Sequence, residues 1–335
     1  MNRKKSPTIQ DVAKKAGVSP ASVSRVVNEN PSVKPEIRDR VKTALHELKY
    51  EAARLAGMKK GFSRKIIGLI IPDILNPFFP LLIKGIENSA KRQGYSIILC
   101  DSENDYETER MHIENLLRKG IEGLIVIPSH GRDSIAGDLI NKDFPLVYLD
   151  RKIESDSINS VTSANEEGAY QAVKFLISLG HQRIVYIAGE KFLSTEMERF
   201  EGFKKALFEA SIVLDERLLL KGHHSWQDAH DEMARLISSG TRFTAVFASS
   251  DIMAFGAKQA LEDGNLKIPD DVSIIGFDDI PFSSAISLTS VSQPAYEMGK
   301  NSMLLLIDLI MGRVETPHHI VLRTSMMIRG SCKKC

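Results

Sequence analysis

The sequence predicts two modules of different build: an N-terminal all-α helix-turn-helix headpiece, then an α/β domain of two doubly wound parallel-sheet lobes. Three observations predict it. Cap and turn residues divide the first fifty positions into short helices, and from Ile66 onward apolar runs of strand length alternate with helix-length segments. The third is charge. Residues 1 to 65 carry 16 Lys and Arg against 6 Asp and Glu, and the rest carries 28 against 37. A net charge of +1 therefore conceals a basic module suited to a polyanion and an acidic module with another task.

The first helix starts at an N-cap, Thr8, with Asp11 three residues on. Ile9, Val12, Ala13 and Ala16 recur at helical spacing until Gly17 supplies a left-handed turn. Ser19 caps a second helix whose first position is Pro20, where a fixed φ and a missing N–H cost nothing, and which runs through Val27. A third helix starts around Pro35, with Ile37, Val41, Ala44, Leu45 and Leu48 on the face that closes a small core. Two short helices joined by Ala-Gly-Val-Ser read as a helix-turn-helix.

The segment TIQDVAKKAGVSPASVSRVVNENPSVKPEIRDRVKTALHELKY resembles the DNA-binding headpiece of the lactose repressor (LacI/GalR) family almost position by position. The resemblance implies that Pro20, Ala21 and Arg25 of the second helix face base edges in the major groove. Arg25 can take a guanine bidentately, and Pro20 and Ala21 offer shape and apolar contact. Thr8, Ser19, Ser22, Ser24 and Asn28 read as caps and phosphate contacts that set register. Residues 51–65, EAARLAGMKKGFSRK, suit a linker that becomes a short helix on DNA. In the family this hinge inserts a leucine into the minor groove. Here Glu51, Ala52 and Ala53 replace the usual proline and asparagine, so the wedge is Met58 if one residue is deleted, with Leu55 second; without a deletion Lys59 takes the slot and cannot serve.

Beyond the hinge, strands are expected at IIGLII, YSIILC, GLIVIP and PLVYLD, with helices over 78–93 and 106–119. The rhythm then repeats, with strands RIVYIAG, TAVFAS and VSIIGFDD and helices over 195–210, 226–239 and 251–263. The resemblance extends from Ile66 to about Gly330 and implies a periplasmic-binding-protein-like core. Its headpiece is expected over 1–50, its hinge over 51–65, and its effector and dimerisation domain over 66–335. Lobe 1 takes about 66–160 plus 292–322, and lobe 2 about 161–291 plus 323–330.

Ligands of doubly wound sheets sit beyond the strand C-termini. The family pattern places Asn76, Phe78 and Phe79 after the first strand, and Asp150, Arg199, Trp226, Ser250, Asp251, Asp278 and Gln293 at later edges, as effector contacts. Carboxylates and an arginine give directional bonds to hydroxyls, and aromatic faces stack on a sugar ring or base. Ser250 stands where many members have asparagine, and Met197 where arginine is frequent.

No cofactor is expected, and an enzyme is disfavoured because Gly-X-Gly, GxxxxGK[ST], GxSxG and HExxH patterns are absent. Metal binding by His223, His224 and His230, or by the Cys332 and Cys335 pair, lacks a second paired motif, and a solvated loop and a frayed tail are the simpler readings. No run of 18 apolar residues and no secretory signal occur, and three cysteines make no disulfide framework, so a cytoplasmic protein without a membrane partner is expected. The resemblance implies a homodimer on a pseudo-palindromic operator, a repressor of a sugar-utilisation operon, and a small-molecule effector such as a sugar. The alternatives are a phosphocarrier protein as main signal, or a sugar-binding protein or enzyme on the same core. Tyr296 to Gly312 has only Lys300 as a basic residue, which disfavours the phosphocarrier.

Overall fold

The computed structural model describes residues 8–27, 33–48, 65–130, 139, 144–153, 158–314 and 317–335. They fall into two compact units, Met1–Arg64 and Lys65–Cys335.

In the first unit, helices α1 (Ile9–Ala16), α2 (Pro20–Val27) and α3 (Pro35–Glu47) enclose Val12, Ala13, Ala16, Val23, Val26, Val41, Ala44 and Leu45. The apolar residues recur every three to four positions, so each helix can bury only one stripe. Thr8 forms a full capping box: its hydroxyl accepts from the Asp11 amide at 3.3 Å, and the Asp11 carboxylate accepts from the Thr8 amide at 2.7 Å. Gly17 ends α1 at φ +64, and Arg40 of α3 reaches over it, donating from Nη2 to the carbonyls of Ala16 (2.6 Å) and Gly17 (3.0 Å). A Cβ at Gly17 would lie 2.6 Å from that nitrogen, so both the left-handed turn and the arginine require glycine here.

The second unit holds two six-stranded sheets. Lobe 1 is ordered β11-β5-β4-β3-β1-β2, from β1 (Ile66–Ile71), β2 (Ser96–Asp101), β3 (Gly123–Val126), β4 (Leu146–Leu149), β5 (Asn159–Ser163) and β11 (His319–Leu322), all parallel. Helices α4 (Phe78–Gln93) and α5 (Tyr106–Lys119) cross between its strands. Lobe 2 is ordered β12-β10-β9-β8-β6-β7, from β6 (Ile184–Ala188), β7 (Leu219–Lys221), β8 (Ala245–Ala248), β9 (Ser273–Asp278), β10 (Thr289–Ser292) and the antiparallel β12 (Ser325–Met327). Its helices are α6 (Asn165–Ser178), α7 (Ser194–Glu209), α8 (Trp226–Ser238), α9 (Asp251–Asp263) and α10 (Pro281–Ala285). Helix α11 (Ala295–Ile310) returns to pack on lobe 1. Central strands such as β3, β6 and β8 are apolar and buried throughout, as strands covered on both faces must be.

Two sequence boundaries shift. Strand β5 belongs wholly to lobe 1 because it pairs with β4 and β11, so the first crossing follows Ser163 rather than residue 160. Helix α7 begins at Ser194 and ends at Glu209, one residue earlier at each end than its apolar pattern predicts. No described helix is long and apolar enough to cross a membrane.

Candidate functional site

Helix α2 carries the first candidate surface. Val23 and Val26 anchor its inner face in the core, which leaves Pro20, Ala21 and Arg25 exposed and Ser22 and Ser24 half-buried. Ser19 caps the helix, its hydroxyl accepting from the Ser22 amide at 3.1 Å and pairing with the Ser22 hydroxyl at 2.9 Å. The Thr8 side chain is likewise committed to its capping box. Asn28 and Met58, with Leu55 and Lys59, lie outside the described residues.

The second candidate site lies between the lobes, at the C-terminal ends of both sheets, where parallel strands and helix N-termini leave a crevice. From lobe 1, Asp150 and Arg151 follow β4, and Ser129 lies just beyond β3. From lobe 2 come Arg199 of α7, His224 after β7 and Asp278 at the end of β9. Charge ties these residues together across the gap. Burial pushes the Asp150 carboxyl up, opposed by Arg199 and then Arg151. Burial also lifts Asp278 to about 8 against the pull of Arg199, with Asp251 and Asp150 adding to the rise. His224 is pushed down to about 3 by burial and by Arg151 and Arg199.

Arg199 is fully committed. It donates from Nε to Asn165 Oδ1 (2.9 Å) and from Nη1 to the Ser249 carbonyl (2.5 Å). Nη2 stands 3.6 Å from Asp278 Oδ1, and the guanidinium lies 3.9 Å over the Phe277 ring. Gln293 joins Asp278 to the crossing segment, donating to its Oδ1 at 2.6 Å while accepting from Ser163 Oγ at 2.5 Å. Glu196 accepts from the Gly189 amide, Ser249 Oγ and the Tyr186 hydroxyl. The His224 ring lies against Gly189, on ground that a Cβ there would take, so glycine is what admits it.

The rim joins the lobes as well. The Lys152 amide donates to Ser194 Oγ at 2.9 Å, Lys152 Nζ pairs with Glu198 at 2.5 Å, and the rings of His130 and Phe192 meet edge-on at 4.7 Å.

Of the residues expected at the effector, Asp150, Arg199, Asp278 and Gln293 converge, and six others do structural work. Ser250 caps α9 through the Met253 amide. Asp251 is turned into lobe 2, where its carboxylate accepts from the Ile280 amide and the hydroxyls of Ser283 and Ser290. Asn76 starts α4 by accepting from the Phe78 amide at 3.0 Å. Phe78 and Phe79 are each 3% exposed, lie edge-on to one another, and share a buried cluster with Ile280 of lobe 2. Trp226 stacks on His230 one turn along α8 and stays 40% exposed.

Sequence reasoning passed over Ser129, Arg151 and Glu196 and took His224 for part of a solvated loop. That loop reading is corrected: His224 Nε2 is buried in the cleft. The signal for Arg151 was adjacency to Asp150; His224 had none beyond its place after a strand. His230 pairs with Asp231 and Asp263, and no group of three or more His, Cys, Asp or Glu among the described residues is placed to hold a metal.

Comparison with known proteins agrees with both halves. The family described as bacterial regulatory proteins, lacI family, matches residues 8–52, and periplasmic binding proteins and sugar binding domain of LacI family matches residues 64–328. The HTH-type transcriptional repressor PurR of Pasteurella multocida (strain Pm70) is 35% identical over 331 residues, covering 97% of this chain and 98% of its own. Among solved structures, a transcriptional regulator CelR-cellobiose complex superposes with a TM-score of 0.76 at 29% identity, covering 97% of this chain and 99% of the other. A LacI family regulator from Enterococcus faecium with bound ribose superposes at 0.73 with 34% identity, over 81% of this chain and 99% of the other. The chain belongs to the LacI family of bacterial regulatory proteins.

Proposed function

We propose that this protein is a transcriptional repressor that reads operator DNA with α2 and is regulated by a sugar bound between its lobes. The observation that carries the DNA half is the exposed row Pro20, Ala21 and Arg25 on a helix whose other face is locked into the headpiece core. For the effector half it is the convergence of Asp150, Arg151, Arg199, His224 and Asp278 from both sheets. The cellobiose and ribose in the two structurally similar regulators support a sugar, and with it a sugar-utilisation operon. One headpiece reads too few bases for operator affinity, so two act together on a pseudo-palindromic site as a homodimer.

Asn28 and Met58 complete the DNA contacts in this reading, with Met58 as the minor-groove wedge. The assignment is to a cytoplasmic regulator and not to an enzyme, since both family matches and the similar repressor of Pasteurella multocida are regulatory proteins. A phosphocarrier protein as the main signal is not favoured, because the one basic residue of α11, Lys300, is paired with Glu297 at 2.8 Å.

Operator selection from random duplexes, followed by fluorescence anisotropy, tests the DNA half. Affinity for the selected site should fall by about 10³-fold or more between 50 and 200 mM salt. Arg25→Ala should cost about 1–3 kcal/mol on the selected site and relax preference at one base position. A flat salt response, or unchanged specificity in the variant, would contradict the reading.

A further inference from the structure

The register of lobe 1 lays one row of side chains across five strands: Ile70, Val126, Tyr148, Ser160 and His319. Two residues along β5 and β11, Thr162 and Val321 lie abreast on the same face. The opposite face packs Val147, Leu149 and Val161 against α11, so these rows look away from that helix. Over β1 and β3 their face is apolar and covered by Ile113 and Leu116 of α5. Over β5 it turns polar, although Ser160 and Thr162 are each only 6% exposed. Here a cavity of about 150 Å³ opens on the sheet, with Lys152, Ile153 and Ile158 as its other wall. That is room for a small organic molecule, well beyond a single water.

Its lining holds one ammonium, from Lys152, and no carboxylate among the described residues. Ser160 Oγ and His319 Nδ1 bond one another at 2.9 Å, whereas the Thr162 hydroxyl is bonded by no described residue. A buried hydroxyl without a partner is unusual, and a ligand oxygen would satisfy it. Hydroxyls gathered beside an ammonium suit an anion with several acceptor oxygens. Ile153, Ile158 and Val321 give a short carbon chain on that anion an apolar wall.

Lys152 also belongs to the rim: its amide donates to Ser194 Oγ, and its Nζ pairs with Glu198 of lobe 2 at 2.5 Å. The lysine side chain is 54% exposed, so this ion pair is weak and a doubly charged anion in the cavity can draw the ammonium away. We propose that the cavity is a second regulatory site, separate from the crevice between the lobes, that takes a small phosphate monoester, and that the ester competes with Glu198 for Lys152 and loosens the rim. What fills the crevice does not enter this inference.

Methyl NMR of the full chain labelled at isoleucine and valine, titrated with glycerol 3-phosphate and separately with glycerol, tests it. The ester should shift the Ile153, Ile158 and Val321 methyls along one saturable curve, and glycerol should leave them unmoved. Thr162→Val, which keeps the shape of threonine without its hydroxyl, and Lys152→Met should each weaken the ester at least tenfold. Glu198→Gln removes the competing carboxylate and should tighten binding at least threefold, an effect that damage to the fold would not give. Spin labels at Glu107→Cys and Glu201→Cys, with Cys100, Cys332 and Cys335 replaced by serine, should move apart when the ester is added. Shifts confined to Ile280 or to the headpiece valines, an equal response to glycerol, full affinity in Thr162→Val, no gain in Glu198→Gln, or unchanged label distances would overturn it. The glycerol and Glu198→Gln comparisons stand even if Thr162→Val misfolds.

Discussion

A neutral imidazole between two guanidinium groups resists protonation, and His224 is in that position, held down to about 3 by burial, Arg151 and Arg199. Unfolding releases it to its ordinary value near 6.5, so between about pH 3 and 6.5 the unfolded chain binds a proton that the native one does not. Stability therefore rises with pH through that window and falls on acidification. Going from pH 7 to pH 5, the residue should cost about 2 kcal/mol. His224→Gln removes this slope, so in urea melts the variant should gain on the unaltered protein by that amount as pH falls. Asp278, raised to about 8, titrates with the opposite sign in both proteins, and the difference between them isolates His224. Parallel pH curves would contradict the assignment. The same residue marks the limit of what the sequence displays. Asp150 and Asp278 are legible as charges at strand ends, and Arg199, inside α7, through the family resemblance, but His224 enters the cleft through a left-handed turn (φ +54) over Gly189, a relation between distant residues that no local pattern carries. Asp251 shows the converse, a carboxylate at a strand end whose oxygens Ile280, Ser283 and Ser290 occupy.

Among the elements, α1 depends on α3 for its finish. The last carbonyls of a helix lack partners within it, and Arg40 satisfies those of Ala16 and Gly17 with one nitrogen. Arg40→Ala leaves them to water and loosens the turn that leads into α2. The loss should be about 1–3 kcal/mol of headpiece stability. Hydrogen exchange should accelerate over residues 9–27 and stay unchanged in both lobes; equal protection in the variant would count against this role. The headpiece helices were legible because their caps and apolar stripes are local. Strand β5 was not, since Asn-Ser-Val-Thr-Ser lacks an apolar run although every residue in it is buried. Its polar groups are met by partners far away in the chain: Asn159 donates to the Leu146 carbonyl and accepts from the His318 amide, and Ser160 bonds His319. Buried strands hydrogen-bonded through their side chains escape hydropathy patterning.

In the whole molecule, the lobes touch at the rim through Lys152 with Ser194 and Glu198 and through His130 with Phe192. Each contact is weak alone, a partly exposed ion pair being worth about 0–1 kcal/mol, and together they bias closure. Combining Glu198→Gln with Phe192→Ala should lengthen and broaden the distances between spin labels at Glu107→Cys and Glu201→Cys, with Cys100, Cys332 and Cys335 replaced by serine. An unchanged distribution would refute the bias. The repeated strand and helix rhythm made two lobes legible, but their contact depends on side chains meeting across the gap.

Lobe 1 is interrupted: β11, which covers the free edge of β5, and α11, which packs on its sheet, both follow β10 of lobe 2 in the chain. On the ribosome, then, both lobes wait for their outer strands, β11 and β12, which emerge last, because domains fold as their parts emerge. Until residue 322 is out, the nascent chain presents an unpaired β5 edge to any neighbouring strand. A pause in translation between α11 and β11 would be the stage at which this protein is most exposed to strand exchange with a second copy on the same messenger.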